Sequence, residues 1–237
     1  NLLKITCVMV CSYISTQLVW ADKTDSESIT DTAMGTDCSV RVFGSDGTAK
    51  DIMDMLSDIE NKYLSWRIEG SDIANINENA SESEPVMPSK WTYSYLENVL
   101  DLARESNGAF DLTLGRVSQL WNLESDNPYI PSKSELTELL LETGWEKISL
   151  GDGEAFLKDG VQIDLGAVGK GIGCDEARKM LEEADANAAV VSVGGSILTY
   201  GKKPDGKPWK IGIANPRNED GESYLGSLTI DGTCSIS

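Results

Sequence analysis

The residues best suited to polar chemistry surround an acid, Asp164, that precedes a glycine-rich segment. Asp164 lies in the apolar stretch VQIDLG (161–166). The glycine-rich segment GAVGKGIG (166–173) then leads into an amphipathic stretch. Glycines let a ligand approach the backbone closely, and the N–H groups at a helix start favour an anion. Lys170 adds a positive charge beside them. The segment indicates an anion site in which Asp164 accepts a hydrogen bond or helps to hold a cation; a plain strand-to-helix turn is the alternative.

Three further segments combine glycine with groups that could contact a ligand. In NGAFDLTLG (107–115), a strand would place Asp111 and Thr113 on one face, although an Asx turn is the simpler reading. The glycine pair 194–195 separates two apolar strands, which indicates either a tight hairpin or a ligand against bare backbone. Met34 could cover an aromatic ring or simply belong to the core.

Composition excludes several kinds of chemistry. The 237 residues contain no histidine, which removes Ser-His-Asp and Cys-His nucleophile pairs and His-ligated zinc. With 39 Asp and Glu against 20 Lys and Arg, the net charge is -19, so nucleic acid is not expected as a partner. The five cysteines form no CxxC pair, and no disulfide framework is implied. Catalysis would have to use carboxylates, lysine, hydroxyls or a hard cation.

Periodicity and capping residues predict the elements that must position these groups. Four longer helices and a short polar helix within the loop 64–77 are expected, and alternation or apolar runs predict strands mostly after them. The predicted helices are 47–64, 89–106, 132–144 and 169–186, and the predicted strands are 38–44, 161–166, 189–195, 196–201, 209–216 and 224–232. Because the helices mostly precede the strands, the predicted fold class is α+β.

The first 21 residues resemble an export signal or an N-terminal anchor. Lys4 is followed by an uncharged stretch from Ile5 to Ala21, with Val19 two residues before the small Ala21. The acidic segment 22–32 is predicted to be a mobile linker, and residues 33–237 form the predicted domain. A buried N-terminal strand or helix is the alternative for the leader.

Considered together, the segments resemble the ApbE family of FAD:protein FMN transferases, which are exported bacterial enzymes often tethered at the membrane. The resemblance runs from Ala33 to the end of the chain, and GAFD and DLGAVGKG are its most specific parts. The segments that carry it are MGT (34–36), LSWRIEGSDIANIN (64–77), GAFDLTLGRVSQLW (108–121), IDLGAVGKG (163–171), SVGGSILTYG (192–201) and WKIGIANP (209–216).

The resemblance implies an ApbE-like fold with FAD in a cleft between helical and strand-rich parts. It assigns Met34 to the flavin side and implies these FAD-binding residues: Met34, Ala109, Phe110, Asp111, Asp164 and Lys170. It gives the backbone carbonyl of Ala167 to Mg²⁺ at the diphosphate. Trp66 and Arg67 stand where the family carries an aromatic residue, and their stacking role is left open. In the family, the remaining metal ligands follow a segment like GTCSIS (232–237), so the C-terminal part of the domain is expected to lie beyond Ser237.

The implied activity is Mg²⁺-dependent transfer of the FMN half of FAD to a Thr or Ser of a partner protein, with release of AMP. The acceptor would be a membrane redox subunit or an exported flavoprotein. The implied location is the outer face of the bacterial cytoplasmic membrane or the periplasm, with the N-terminal segment at the membrane surface. The alternatives are an FAD pyrophosphatase, a non-catalytic exported flavin-binding protein, and a structural surface protein whose glycines only form turns.

Overall fold

The computed structural model describes residues 25–123, 125–158, 160–216 and 223–237. The predicted leader, 1–21, therefore lies outside the described residues. The chain divides into two compact units. Unit 1 contains the described residues up to Met55 together with Gly171–Ser237, and unit 2 contains Leu56–Lys170. The division passes through two helices, α1 (Thr48–Asp58) and α6 (Gly166–Glu183).

Unit 1 is built on a five-stranded antiparallel sheet with the strand order β1-β2-β5-β6-β9. Along β2, the buried Val40 and Val42 alternate with the half-buried Ser39 and Arg41, which is the period of two expected for a strand with one more deeply buried face. Its strands are β1 (Ser26–Ala33), β2 (Thr36–Phe43), β5 (Ala188–Val193), β6 (Ser196–Gly201) and β9 (Cys234–Ile236).

Strand β1 corrects the predicted linker, because residues 26–32 of the segment 22–32 belong to a strand that pairs along its whole length with β2. The segment is polar because β1 lies at the edge of the sheet, where most of its side chains face solvent. Its Glu27 also accepts a hydrogen bond from the N–H of Ala49 at 3.2 Å, which satisfies a donor in the first turn of α1. The prediction of a linker from composition alone was therefore wrong, because the segment is an edge strand.

Unit 1 also contains a two-stranded ribbon and most of α6. The ribbon consists of β7 (Trp209–Ala214) and β8 (Tyr224–Ile230), and Trp209 packs in a buried cluster with Phe43 and Ala188. In α6, Ile172, Ala177 and Leu181 are buried. That helix begins three residues earlier than predicted, at Gly166.

Unit 2 is mainly helical. Three of its helices begin at a serine whose side chain accepts an N–H of the first turn, and Ser132 forms a full capping box with Glu135. After α1 ends, a π-helical turn (Ile59–Leu64) leads to α2 (Asp72–Asn79), α3 (Lys90–Glu105), α4 (Gly115–Trp121), α5 (Lys133–Leu140) and the hairpin of β3 (Ile148–Gly151) and β4 (Glu154–Leu157).

The predicted α+β class is confirmed, since helices and separate antiparallel sheets make up the two units. Helix α4 and the strands β3, β4 and β9 were not predicted. In the described part of the chain, no helix combines the length and apolar character that crossing a membrane requires.

Candidate functional site

The two acids singled out in the sequence belong to two segments of unit 2 that pair with each other. Leu114 and Gln162 form a parallel β-bridge. The N–H of Asp164 donates to the carbonyl of Leu112 at 2.8 Å, and the N–H of Gly115 donates to the carbonyl of Gln162 at 3.0 Å. The segments that contain GAFD and DLGAVGKG therefore lie side by side.

Gly115 allows the two segments to approach this closely. A Cβ atom at this position would lie 2.8 Å from the carbonyl oxygen of Gln162, a distance that real Cβ atoms essentially never show. The atom in the way belongs to the backbone, so it cannot rotate aside. A side chain here would therefore force the two segments apart.

Asp111 is held by a short chain of hydrogen bonds. Its Oδ1 accepts from the N–H of Thr113 at 2.8 Å and from the Thr113 hydroxyl at 2.6 Å. The Thr113 hydroxyl in turn accepts from the N–H of Gly144 at 2.7 Å, and Thr113 is buried. The simpler reading of this segment, an Asx turn, is therefore the observed one, and it fixes the direction of the carboxylate.

The end of α3 directs the chain into this turn. Asn107 and Gly108 both have positive φ, 52° and 75°, which stops the helix and reverses the chain. The Ser106 hydroxyl then accepts from the N–H of Phe110 at 3.1 Å. As a result Ala109 is exposed and Phe110 half-buried immediately before Asp111.

Asp164 turns back onto the start of α6. Its Oδ1 accepts from the N–H of Gly166 at 2.8 Å, while the N–H groups of Val168 and Gly169 donate to the carbonyl of Leu165. Several N–H groups in the first turn of the helix are therefore already paired. The negative charge at the start of the helix is that of the Asp164 carboxylate. Lys170 follows in the same helix and is half-buried.

Asn77 holds the same segment from another side and was not singled out in the sequence. Its Nδ2 donates to the carbonyl of Ile163 at 2.9 Å, and its Oδ1 accepts from the N–H of Ile163 at 2.7 Å. The only sequence signal was an amide at the end of a short polar helix. That signal does not reveal a partner 86 residues away.

Oxygen donors for the expected Mg²⁺ are few in the described part of the chain. No group of three or more His, Cys, Asp or Glu side chains there is placed to hold a metal ion. Ala167 is exposed, and its carbonyl lies in the first turn of α6, where a second lone pair remains beside the helical hydrogen bond. A backbone carbonyl is one of the oxygen donors that Mg²⁺ takes together with waters and substrate phosphates, and the assignment of Ala167 to the metal stays a prediction.

The other predicted flavin contact, Met34, lies in unit 1. Met34 and Gly35 join β1 to β2 with φ values of 55° and 66°, the pattern of a two-residue type I′ hairpin. The turn between β5 and β6 lies beside it, because the N–H of Gly194 donates to the carbonyl of Asp37 at 3.1 Å. The tight-hairpin reading of the pair 194–195 is the observed one.

Trp66 and Arg67 contact each other. The Arg67 guanidinium carbon lies 4.0 Å from the centre of the Trp66 ring, a cation–π contact. Within the described residues, the indole N–H of Trp66 is buried and has no hydrogen-bond partner. The stacking of this pair on a ligand stays a prediction.

The predicted site residues thus fall into two groups. Ala109, Phe110 and Asp111 lie on one segment of unit 2, and Asp164, Ala167 and Lys170 lie on the segment that pairs with it or in the helix that follows. Met34 belongs to a hairpin end of unit 1 together with Gly194. Within unit 2, two segments that are far apart in the sequence converge, which is what a shared binding site requires.

The chain resembles known proteins in both sequence and structure. The sequence profile of the ApbE family matches residues 34–237. A FAD:protein FMN transferase of Haemophilus influenzae is 30% identical over 179 residues, which are 73% of this chain and 51% of that protein. One of Treponema pallidum is 29% identical over 205 residues, covering 77% of this chain and 56% of that protein. The crystal structure of an ApbE protein of Thermotoga maritima matches with a TM-score of 0.80 and 29% identity, over 90% of this chain and 70% of that one.

The chain has the ApbE fold and belongs to the ApbE family. The resemblance inferred from the sequence segments is therefore confirmed. The chain spans about half the length of the curated relatives it matches.

Proposed function

We propose that this chain carries the flavin-binding part of a Mg²⁺-dependent FAD:protein FMN transferase. The observation that carries the proposal is the convergence of the two most specific family segments, where the N–H of Asp164 bonds to the carbonyl of Leu112 beside Asp111. The names of the curated relatives, FAD:protein FMN transferase, support the same activity.

In this proposal the chain's own residues bind and orient FAD. Asp111 and Asp164 each use Oδ1 within the protein, which leaves the second carboxylate oxygen to accept from ribose hydroxyls or ring N–H groups of the nucleotide. Lys170 contributes positive charge in a chain of net charge -19. Ala109 and Phe110 line the nucleotide, and Met34 covers the flavin.

The proposed reaction is a phosphoryl-type transfer. The hydroxyl oxygen of a Thr or Ser of the acceptor forms a bond to the phosphorus of the FMN half, and the bond from that phosphorus to the bridging oxygen breaks. AMP leaves with that electron pair, and the hydroxyl proton is released. Positioning and charge neutralisation dominate such reactions. Mg²⁺, held by the backbone carbonyl of Ala167 with phosphate oxygens and water, would offset the charge on the diphosphate.

The proposed setting is the outer face of the bacterial cytoplasmic membrane or the periplasm. It is supported by the export-like pattern of residues 1–21, with Lys4 ahead of an uncharged stretch. The acceptor would then be a membrane redox subunit or an exported flavoprotein. In this setting residues 33–237 supply the flavin-binding domain.

The test mixes the full-length protein with FAD, Mg²⁺ and an acceptor protein, and looks for covalently bound fluorescent flavin in a denaturing gel. We expect a labelled acceptor band that EDTA abolishes. Asp164→Asn should weaken the band strongly, because the amide cannot replace both carboxylate contacts. Asp152→Asn is the matched control, since Asp152 lies in an exposed turn with a φ of 54° that asparagine tolerates.

The outcomes separate the alternatives. AMP released from FAD without an acceptor would favour a pyrophosphatase. FAD binding without any AMP would favour a non-catalytic flavin-binding protein. Absence of flavin binding at every Mg²⁺ concentration would overturn the proposed function.

A further inference from the structure

Asn77 completes the hydrogen bonding of a segment that otherwise has one strand partner. In an extended chain, the N–H and C=O groups of successive residues point to opposite edges. Gln162 and Asp164 use one edge to pair with Gly115 and Leu112. Ile163 uses the other edge, where both of its backbone groups meet the Asn77 carboxamide.

The backbone of Ile163 depends on this contact. The residue is fully buried, and an unpaired buried N–H or C=O is unfavourable. A carboxamide carries a donor and an acceptor side by side, so a single asparagine can replace a neighbouring strand. The pairing also fixes which end of the amide is oxygen, because the N–H of Ile163 can only donate.

Asn77 is itself held by a well-anchored helix. Helix α2 begins at Ser71, whose hydroxyl accepts from the N–H of Ala74, and its Ile73 and Ile76 are buried. Asp72 ties its first turn to the start of α3, because one carboxylate oxygen accepts from the hydroxyls of Ser89 and Thr92 at 2.5 and 2.6 Å. The amide is therefore presented from a fixed position.

We infer that Asn77 is a positioning residue for Asp164, and this inference rests on the proposed function. Asn77 fixes Ile163, and the next residue, Asp164, is fixed through its own N–H to Leu112 and through its Oδ1 to Gly166. The second oxygen of Asp164 then faces the nucleotide from a set place. Without Asn77, the segment 162–164 is hydrogen-bonded along one edge only. The Asp164 carboxylate is then no longer held in a fixed position.

A double-mutant cycle in FAD binding tests this role in the full-length protein. Asn77→Ala should raise the FAD dissociation constant about 10-fold, the low end of losses seen when a supporting hydrogen bond is removed from a site. In the Asp164→Asn background the same change should raise it less than about 2-fold, because the group being positioned is gone. An equal loss in both backgrounds would mean a merely structural role and would overturn the inference.

Amide hydrogen exchange gives a second measurement that needs no ligand. Asn77→Ala should speed the exchange of the N–H groups of Asp164 and Gly166 while α3 keeps its protection. Asn75→Ala, on the exposed face of the same helix, should leave both amides unchanged. If Asn77→Ala does not fold, Asn77→Ser is used in its place, and the same two amides are measured.

The outcomes distinguish this inference from the proposed function. If the wild-type protein binds no FAD, the proposed function fails and the nucleotide role of Asn77 fails with it. Unchanged exchange at Asp164 and Gly166 in the Asn77 variant would overturn the positioning role even when FAD binding is intact in the wild type.

Discussion

The candidate residues lie in two regions whose internal support differs. In unit 1, Met34 and Gly194 stand at the ends of two hairpins with unbroken registers. The pairs run from Ser26–Phe43 to Ala33–Thr36 in β1 and β2, and from Ala188–Gly201 to Val193–Ser196 in β5 and β6. In unit 2, Asp111 and Asp164 stand on segments joined by one isolated bridge and a few single hydrogen bonds. A ladder spreads the support of a turn over many backbone groups, whereas the unit 2 segments depend on individual contacts.

This difference in backbone support determines where a small substitution should displace a candidate site residue. The tight contact at Gly194 is with the hydroxyl and methyl groups of the Thr36 side chain, which a smaller residue at position 36 would remove. The tight contact at Gly115 is with the backbone carbonyl of Gln162, which no substitution removes. We therefore expect the acids of unit 2 to be displaced by substitutions that the hairpin end of unit 1 would tolerate.

The largest expected effect is that of Gly115→Ala. Its Cβ would lie 2.8 Å from the Gln162 carbonyl oxygen, so the paired segments must separate. Forced overpacking of this kind lowers the free energy of unfolding by up to about 3 kcal/mol. Urea unfolding followed by circular dichroism measures it.

A glycine with free space around it provides the control. Gly171 lies inside α6, and apart from the backbone of its own helix no neighbouring atom comes within 4 Å of the place that a Cβ would occupy. Gly171→Ala should therefore raise stability by about 0.5–1 kcal/mol through helix propensity. Equal effects of the two substitutions would contradict the close approach at Gly115.

The sequence predicted the strands β2, β5 and β6 of unit 1 because their signals are local. Alternation over 38–44 corresponds to β2, and the glycine pair 194–195 corresponds to the turn between β5 and β6. The edge strand β1 was mistaken for a linker because its polar side chains carry no apolar period. Backbone pairing with β2 overrides that composition.

The unit 2 site was less predictable because its contacts are not local. Residues 161–166 were predicted as a strand, but only Gln162 is bridged, since Asp164 already turns to bond the N–H of Gly166. Helix α4 starts at Leu114 without a side-chain cap and gave no start signal. The partner of Asn77 lies far along the chain, and no periodicity records such a contact.

Thr113→Val is expected to have the next largest effect, because it removes a hydroxyl that serves two partners. The N–H of Gly144 would lose its acceptor and Asp111 would lose one donor. An unpaired buried donor lowers the free energy of unfolding by about 1–2 kcal/mol, and FAD binding should weaken as Asp111 loses its direction. Thr113→Ser keeps the hydroxyl and should retain most of the FAD affinity in fluorescence titration; equal losses in both variants would count against the hydrogen bonds.

Gly194→Ala should have a smaller effect, of about 1 kcal/mol, from its left-handed φ of 59°. The added Cβ would lie 2.8 Å from the Thr36 hydroxyl oxygen and 3.0 Å from its methyl carbon, two contacts that a smaller residue at position 36 would remove. In the Thr36→Ala background, the destabilisation caused by the contact with Thr36 should vanish. The destabilisation caused by the left-handed φ should remain. Urea unfolding of the wild type, the two single variants and the double variant measures both contributions. A loss as large as that of Gly115→Ala would show that the hairpin end is as intolerant as the unit 2 segments.

The smallest effect concerns the interior behind the unit 1 sheet, where burial, with a contribution from the negative charge of Asp175, raises the pKa of Cys174 to about 11. Because an unfolded cysteine has a pKa of about 8.5, the unfolded state loses its proton first as pH rises. The stabilising contribution is therefore complete below about pH 8.5 and is lost as pH rises towards the folded value. The free energy of unfolding should fall over this range less steeply in Cys174→Ala than in the wild type.

At pH 8, peptide mapping after iodoacetamide treatment should find the exposed Cys234 modified and the buried Cys38 and Cys174 protected until urea is added. Rapid labelling of Cys174 in the native protein would mean that unit 1 opens as readily as the singly held segments of unit 2 are expected to.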